Sequence, residues 1–327
     1  MYEKDIISVI ILIFLTGCIF PSFGSKEKWE EQFISGDEGS NNKIVLIPIE
    51  GLILDQDSRS SLVSRSTCTP EKVNELLRLA EKDKNVKAII LAINSPGGGV
   101  TASDIIYRSI KEFKQRHPEK PIIALMHDTA ASGGYYISCS ADYVMAHPTT
   151  ITGSIGVISM FLILEDLMGK IGVETVTVKS GKAKDIGSPF RKMTADEIEF
   201  VQKIIDEMYN RFVDIVYEAK KNNLSRDEIK ALADGRILTG QEALRVKLVD
   251  EIGYMTDAYK KTLEKSNIKS AKVIRYRKQG GLFDNLFMGS TSPLELTYLA
   301  EIVLKNNASQ FMYLWMPSLM TPSAGKE

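Results

Sequence analysis

Asn94-Ser95-Pro96-Gly97-Gly98-Gly99 and Ala130-Ala131-Ser132-Gly133-Gly134-Tyr135-Tyr136 decide how this chain is read. Each follows an apolar run suited to a buried parallel strand, Val86 to Ile93 in one case and Pro121 to Met126 in the other. Pro96 fixes its own φ and biases Ser95 away from helix, while the glycines permit positive φ and leave no Cβ in the way of a substrate carbonyl. Backbone N–H groups exposed at such a turn can point at a developing oxyanion. Ser132 sits between small residues where a strand passes into a helix, the placement of a nucleophile elbow. A glycine triplet alone is most often a turn and Ser-Gly-Gly a loop; two adjacent strand-turn-helix units carrying both point to one acyl-transfer site.

Together with Pro148 to Val157, these segments resemble the hallmark stretches of the signal peptide peptidase A (SppA) family. The resemblance continues through Lys179-Ser180-Gly181, Lys184-Asp185, Arg236 to Gly240 and Leu248-Val249-Asp250, and covers roughly residues 44 to 265. It departs at Lys247, where the family usually has glycine. The resemblance implies an α/β fold of the Clp protease and crotonase-like kind, a spiral of repeated strand-helix units with stacked short sheets, followed by C-terminal helices. It also implies a serine-lysine endopeptidase that cleaves remnant signal peptides or similar short apolar peptides, forms a homo-oligomer and needs no cofactor or metal.

A serine hydroxyl needs a base within hydrogen-bond reach. The family position falls on Lys184, with Ser132 as nucleophile and Ser154 able to orient the amine; Gly133 and either Gly98 or Gly99 are the expected oxyanion donors. A lysine here could equally be a solvated loop charge, and it works as a base only when desolvation lowers its pKa. His147, before Pro148, is the rival base by analogy with the Clp protease, whereas His117 and His127 read as surface or loop residues. Cys139 reads as a small core residue. Two other readings use the same fold: a crotonase-like acyl-CoA enzyme, which would want acidic residues near the glycine turns, and a non-catalytic scaffold.

A chain of 327 residues with 44% hydrophobic content can bury a large core, and its net charge of −1 offers no electrostatic case for nucleic acid. Three cysteines, Cys18, Cys68 and Cys139, have neither metal-ligand spacing nor a disulfide framework. Residues 1–17 read as a targeting segment: Ile6 to Leu15 is apolar, and Leu15-Thr16-Gly17-Cys18 resembles a bacterial lipobox that would place a lipid on Cys18. The competing reading is an uncleaved membrane helix. Both put the catalytic part outside the cytoplasm, against the membrane of a bacterial cell envelope.

Residues 18–42 read as a tether, 43–270 as the peptidase domain and 271–327 as an extension of uncertain structure. Pro48 makes Lys43 to Ile49 compatible with a sheet edge. Thr69 or Pro70 opens a helix, Val173 to Val178 reads as a strand that delivers Lys179, Lys182 and Lys184, and Thr194-Ala195-Asp196-Glu197 is a capping box opening a long amphipathic helix.

Overall fold

The structure is a computed structural model that describes residues 29–55, 67–278 and 311–315. The chain divides into two compact units, one of residues 1–32 and 276–290 and the other of residues 33–275 and 291–327. In the smaller unit the described residues are strand ends, with the Lys278 ammonium 5.2 Å from the Trp29 ring centroid. The larger unit holds the candidate site.

Its first strands are β1 (Trp29–Gly36), β2 (Lys43–Glu50), β3 (Leu52–Ile53) and β4 (Thr67–Cys68), followed by helix α1 (Pro70–Lys82). Thr69 caps α1, its hydroxyl accepting the Lys72 N–H, and Pro70 occupies the first turn, where a missing N–H costs nothing. Val73, Leu76, Leu77 and Ala80 form its buried stripe. Next come β5 (Val86–Ser95), β6 (Gly97–Gly99), α2 (Val100–Arg116), β7 (Ile122–Ala131), α3 (Gly133–Ser138), β8 (Tyr143–Ala146) and β9 (Ile151–Gly153). Strands β2, β5, β7 and β8 lie side by side and parallel, each paired with the next in the chain. Strand β5 is buried along nearly its whole length, which explains its unbroken apolar sequence.

The sheet is completed by β10 (Ile237–Thr239), β11 (Glu251–Ile252) and β12 (Lys272–Lys278), in the order β1-β12-β2-β5-β7-β8-β11, with β9 and β10 attached beside β7. A second sheet stacks short strands in the order β13-β6-β3-β4, where β13 is Met312–Leu314. Both β2 and β5 thus continue into the second sheet, as β3 and β6, and both junctions are parallel. This is the expected α/β spiral with stacked short sheets.

The remaining helices are α4 (Glu165–Lys170), α5 (Ala195–Lys220), α6 (Arg226–Leu232), α7 (Gly240–Arg245) and α8 (Met255–Ser266). Helix α5 opens with the expected capping box, Thr194 and Glu197 each bonding the other's backbone N–H. At its far end the ammonium of Lys220, 3% exposed, lies 2.7 Å from Asp250, whose other oxygen accepts the Val144 N–H.

Several expectations are corrected. Residues 29–36 of the expected tether form β1, and the expected boundary at residue 270 fails because Lys272, Val273 and Ile274 pair with Lys43, Ile44 and Val45. Part of the expected extension, β13, is a strand of the second sheet. Strand β2 is internal, yet its pairing with β12 runs only from Lys43 to Val45, and Pro48 pairs with Ala92 of β5. Residues 173–178 form no strand; Val176 and Val178 are 90% and 94% exposed, and among the described residues the β-branched pattern has no strand paired with it. Cys18 and the targeting segment lie outside the described residues, among which no helix is long and apolar enough to cross a membrane.

Lys247 adopts φ 63° at the end of a turn where the Leu248 N–H bonds to the Ala243 carbonyl. An L-residue with a Cβ is disfavoured in this left-handed region, where glycine is at no disadvantage. Lys247→Gly is expected to raise stability by up to about 1 kcal/mol while leaving the fold unchanged. Denaturant titration checks it: a higher midpoint at an unchanged slope is the expected result.

Candidate active site

Parallel pairing of β5 with β7 brings the two glycine turns together at the same end of the sheet. The register shifts between Ile93 and Ser95, and the Asn94 side-chain carbonyl accepts the Thr129 N–H at 3.1 Å, tying the ends of the two strands. Ser95 is occupied structurally. Its hydroxyl donates to the Gly51 carbonyl at 2.6 Å and accepts the Gly97 N–H at 3.1 Å.

Ser132 has φ 53° and ψ −113°, a conformation that costs an L-residue about 1–3 kcal/mol and persists only where its surroundings over-determine it. Three constraints do so. The Ser132 N–H donates to the Gly153 carbonyl at 2.8 Å, the Ser132 carbonyl accepts the Tyr136 N–H at 2.8 Å, and α3 begins at the very next residue. Ser132 is only 1% exposed.

The two turns touch through backbone. Gly97 has φ 102°, and a Cβ on it would lie 2.7 Å from the Gly133 nitrogen and 2.0 Å from the Tyr313 carbonyl oxygen. A Cβ on Gly133 would lie 2.6 Å from the Ser103 hydroxyl oxygen and 3.2 Å from the Gly97 Cα. Gly97 is therefore required by packing and by its left-handed φ, whereas Gly133 is required by packing against the Ser103 hydroxyl and the Gly97 backbone. Gly98 pairs with Tyr313 of β13, whereas Gly99 caps α2, its carbonyl accepting the Ser103 hydroxyl at 3.0 Å. Both glycines left open by sequence lie in β6, Gly98 opposite Tyr313 and Gly99 opposite Met312.

Ser154 follows Gly153 directly, with φ 49°, 8% exposure and its N–H bonded to the Arg236 carbonyl at 2.7 Å. It is therefore adjacent to the Ser132 turn. Among the described residues no hydrogen bond joins Lys184 to Ser132. Lys184 sits in the exposed 3₁₀ turn Lys182–Asp185, its N–H bonded to the Gly181 carbonyl. Ion pairs fix that turn: Arg191 bonds both Asp185 and Glu197 at 2.6 Å, and Lys179 reaches Asp185 at 2.5 Å. Hydrogen bonds from Arg191 and then Lys179 hold the Asp185 carboxyl below the usual carboxylate range.

The His147 ring lies against His127, at 5.2 Å between centroids, and stacks on Tyr254 at 5.0 Å. Burial lowers the pKa of both imidazoles, and His147 further lowers that of His127. Cys139 is buried, and desolvation pushes its thiol up to about 12, so it is a core residue and not a nucleophile. Among the described residues no group of three or more His, Cys, Asp or Glu side chains could hold a metal ion.

One part of the site escaped sequence reasoning. Tyr136, Phe212 and Tyr313 form a buried aromatic cluster with centroid distances of 4.7 to 5.0 Å, and the Tyr136 hydroxyl donates to Asp104, which also receives Arg211. Tyr135-Tyr136 and the stripe of α5 were visible in sequence; their meeting with a residue near the far end of the chain was not.

Known proteins resemble the chain over most of its length. Residues 114–269 match the model of peptidase family S49, and residues 62–152 match that of the Clp protease. The chain is 38% identical over 276 residues to a signal peptide peptidase SppA of Enterococcus faecium, covering 84% of this chain and 78% of the relative. It is also 38% identical over 220 residues to Protease 4 of Haemophilus influenzae, covering 67% of this chain and 34% of that protein. To the chloroplastic serine protease SPPA of Arabidopsis thaliana it is 30% identical, over 93% of this chain and 46% of the relative.

The Gly97–Gly133 contact leads to a sharp expectation. Gly97→Ala should lose about 10²-fold or more in peptidase activity, the order of cost of misplacing a reacting group by about an ångström. Gly99→Ala, whose Cβ would have its nearest neighbour at 3.8 Å, should lose far less. Steady-state hydrolysis of one peptide by both variants checks the contrast.

Proposed function

Since the chain belongs to peptidase family S49, the SppA-type signal peptide peptidases, and is a serine peptidase, we propose that it works through a Ser132–Lys184 dyad on short apolar peptides at a membrane face. The observation that carries this reading is the strained, enclosed backbone of Ser132 against Gly97 and Gly133. In the proposed reaction the Ser132 hydroxyl attacks a peptide carbonyl and its proton passes to the neutral Lys184 amine. The resulting oxyanion is met by the N–H groups of Gly133 and Gly98. Collapse breaks the C–N bond, the leaving amine takes the proton from Lys184, and water then hydrolyses the acyl-enzyme with Lys184 again as base. Ser154, beside the nucleophile turn, orients the amine.

The dyad needs Lys184 buried, because a lysine serves as base only where desolvation disfavours its charge. We assign that burial to a second copy of the chain. The exposed segment around Lys184 carries Ile171, Val176 and Val178, apolar side chains 67%, 90% and 94% exposed, which an assembly would cover. The homo-oligomer is thus part of the catalytic proposal. Membrane attachment is assigned to Cys18 through its lipobox, with the catalytic domain outside the cytoplasm of a bacterial cell.

Ser132→Ala should abolish hydrolysis of a short apolar peptide with an unchanged circular dichroism spectrum. Lys184→Arg should be nearly inactive because a guanidinium stays protonated, while His147→Gln should keep most activity. An active arginine variant beside an inactive glutamine variant would move the base to His147. Separately, mass spectrometry of membrane-extracted protein is expected to find a mature chain beginning at lipid-modified Cys18; an intact Met1 with unmodified Cys18 would replace the lipid by an uncleaved helix.

A further inference from the structure

Residues 160–194 lead into α5 and carry Lys184, and not one of them is buried. Apolar packing within the chain therefore does not give this segment its shape. What it encloses, together with the first turn of α5, is charge. The side chains of Asp185 and Glu197 are only 11% and 13% exposed, and both are bonded to the Arg191 guanidinium.

Arg191 uses its whole fork. Nε donates to Asp185 Oδ2 at 2.8 Å and Nη2 to Asp185 Oδ1 at 2.6 Å, while Nη1 and Nη2 donate to the two oxygens of Glu197 at 2.8 and 2.6 Å. Nη2 also reaches the Asp185 backbone carbonyl at 3.2 Å, so the residue after Lys184 is held by side chain and main chain together. On the other side of Lys184 its own N–H is tied to the Gly181 carbonyl, and the Lys179 ammonium donates to the Lys182 carbonyl at 3.0 Å. Among the described residues no hydrogen bond or ion pair holds the Lys184 amine itself. Its aim is set by the backbone that Arg191 fixes.

Glu197 carries the clamp into α5. Its Oε2 also accepts the Thr194 N–H at 3.0 Å, so one carboxylate closes the capping box and receives Arg191. Fourteen residues on, about 21 Å along a helix at ~1.5 Å per residue, Arg211 bonds Asp104, which accepts the hydroxyl of Tyr136 in the helix after Ser132. The lysine turn is thus tied to the same helix that packs on the serine side. A lysine in place of Arg191 would be a point charge, unable to present two bidentate edges at once.

We infer that Arg191 is a positioning residue for the proposed reaction, aiming the Lys184 amine by clamping Asp185 to the first turn of α5. The inference rests on the reading of Lys184 as the base, and adds to it what keeps an exposed turn in one shape.

The test is steady-state hydrolysis of one short apolar peptide by full-length variants, each also run on size-exclusion chromatography and titrated with denaturant. Arg191→Ala should lose about 10²-fold in kcat with KM within about two-fold, the order of cost of misplacing a reacting group by about an ångström. Arg191→Lys should remain about ten-fold below the parent, because it keeps the charge and loses the fork. Lys192→Ala, which breaks an exposed pair with Asp166, should stay within about two-fold. Guanidinium ion should raise the kcat of Arg191→Ala about five-fold or more over sodium chloride of equal ionic strength, since it can seat between the two carboxylates. Glu197→Gln keeps the capping box and gives up the charge facing Arg191; it should lose about five-fold in kcat at an unchanged denaturation midpoint. Should Arg191→Ala fail to fold, Glu197→Gln decides alone. Parent-like kcat in Glu197→Gln, a loss carried by KM in either variant, or a loss in folded Arg191→Ala that guanidinium does not relieve overturns the assignment. So does a loss in Glu197→Gln that travels with a lower midpoint or a changed elution volume. Failure of the base reading looks different: Lys184→Arg would then keep parent-like kcat, whatever Arg191→Ala does.

Discussion

The contact on which this molecule depends is between two pieces of backbone, Gly97 and Gly133, held so near each other that a Cβ on Gly97 would lie 2.7 Å from the Gly133 nitrogen. Everything around them holds that approach. Parallel pairing of β5 and β7 sets the level of the two turns, the Asn94–Thr129 bond joins them, and Ser95 turns the chain by bonding both Gly51 and Gly97. The strained Ser132 backbone is then fixed from a third direction by Gly153, in a strand supported by β10. A conformation costing about 1–3 kcal/mol is maintained by burial of the strands beneath it, where Ile89, Ile90, Leu91, Ile123, Ala124 and Leu125 have no solvent exposure.

What could be read from sequence was local. The glycine turns, the Thr69-Pro70 start of α1 and the Thr194–Glu197 capping box depend on residues within one turn or one strand of each other, and composition alone identifies them. What could not be read was pairing at a distance. Residues 29–36 are polar and lack helical period, so they resemble a tether until the rest of the sheet supplies a place for them. Val173 to Val178 fails in the opposite direction: its β-branched residues suit a strand, but a strand needs a neighbour and this segment has none among the described residues. Tyr313 combines both difficulties, since its role comes from Gly98, Tyr136 and Phe212, none of them near it in the chain.

The site also shows why residue type is a poor guide to reactivity. Cys139 is chemically the stronger nucleophile, yet full enclosure pushes its thiol up to about 12 and leaves it inert. Ser132 is chemically weaker and equally enclosed, but its strained backbone stands where the Gly97 and Gly133 turns meet. Likewise His147 has a ring suited to base chemistry but is packed between His127 and Tyr254.

The two halves of the proposed dyad are built from different forces, and this has a consequence for how activity would respond to conditions. The serine half is embedded in apolar core and backbone hydrogen bonds, which salt screens little. The lysine half is a turn secured by Arg191, Asp185, Glu197 and Lys179, ion pairs near the surface that are individually weak and sensitive to ionic strength. Salt should therefore loosen the segment carrying Lys184 long before it disturbs Ser132. An apolar face that includes Val176 and Val178 responds in the other direction, since excluded salts such as sulfate strengthen burial. A dyad completed by burying this segment would then lose less activity in sulfate than in chloride of equal ionic strength, because chloride screens the ion pairs without comparably reinforcing the apolar contact.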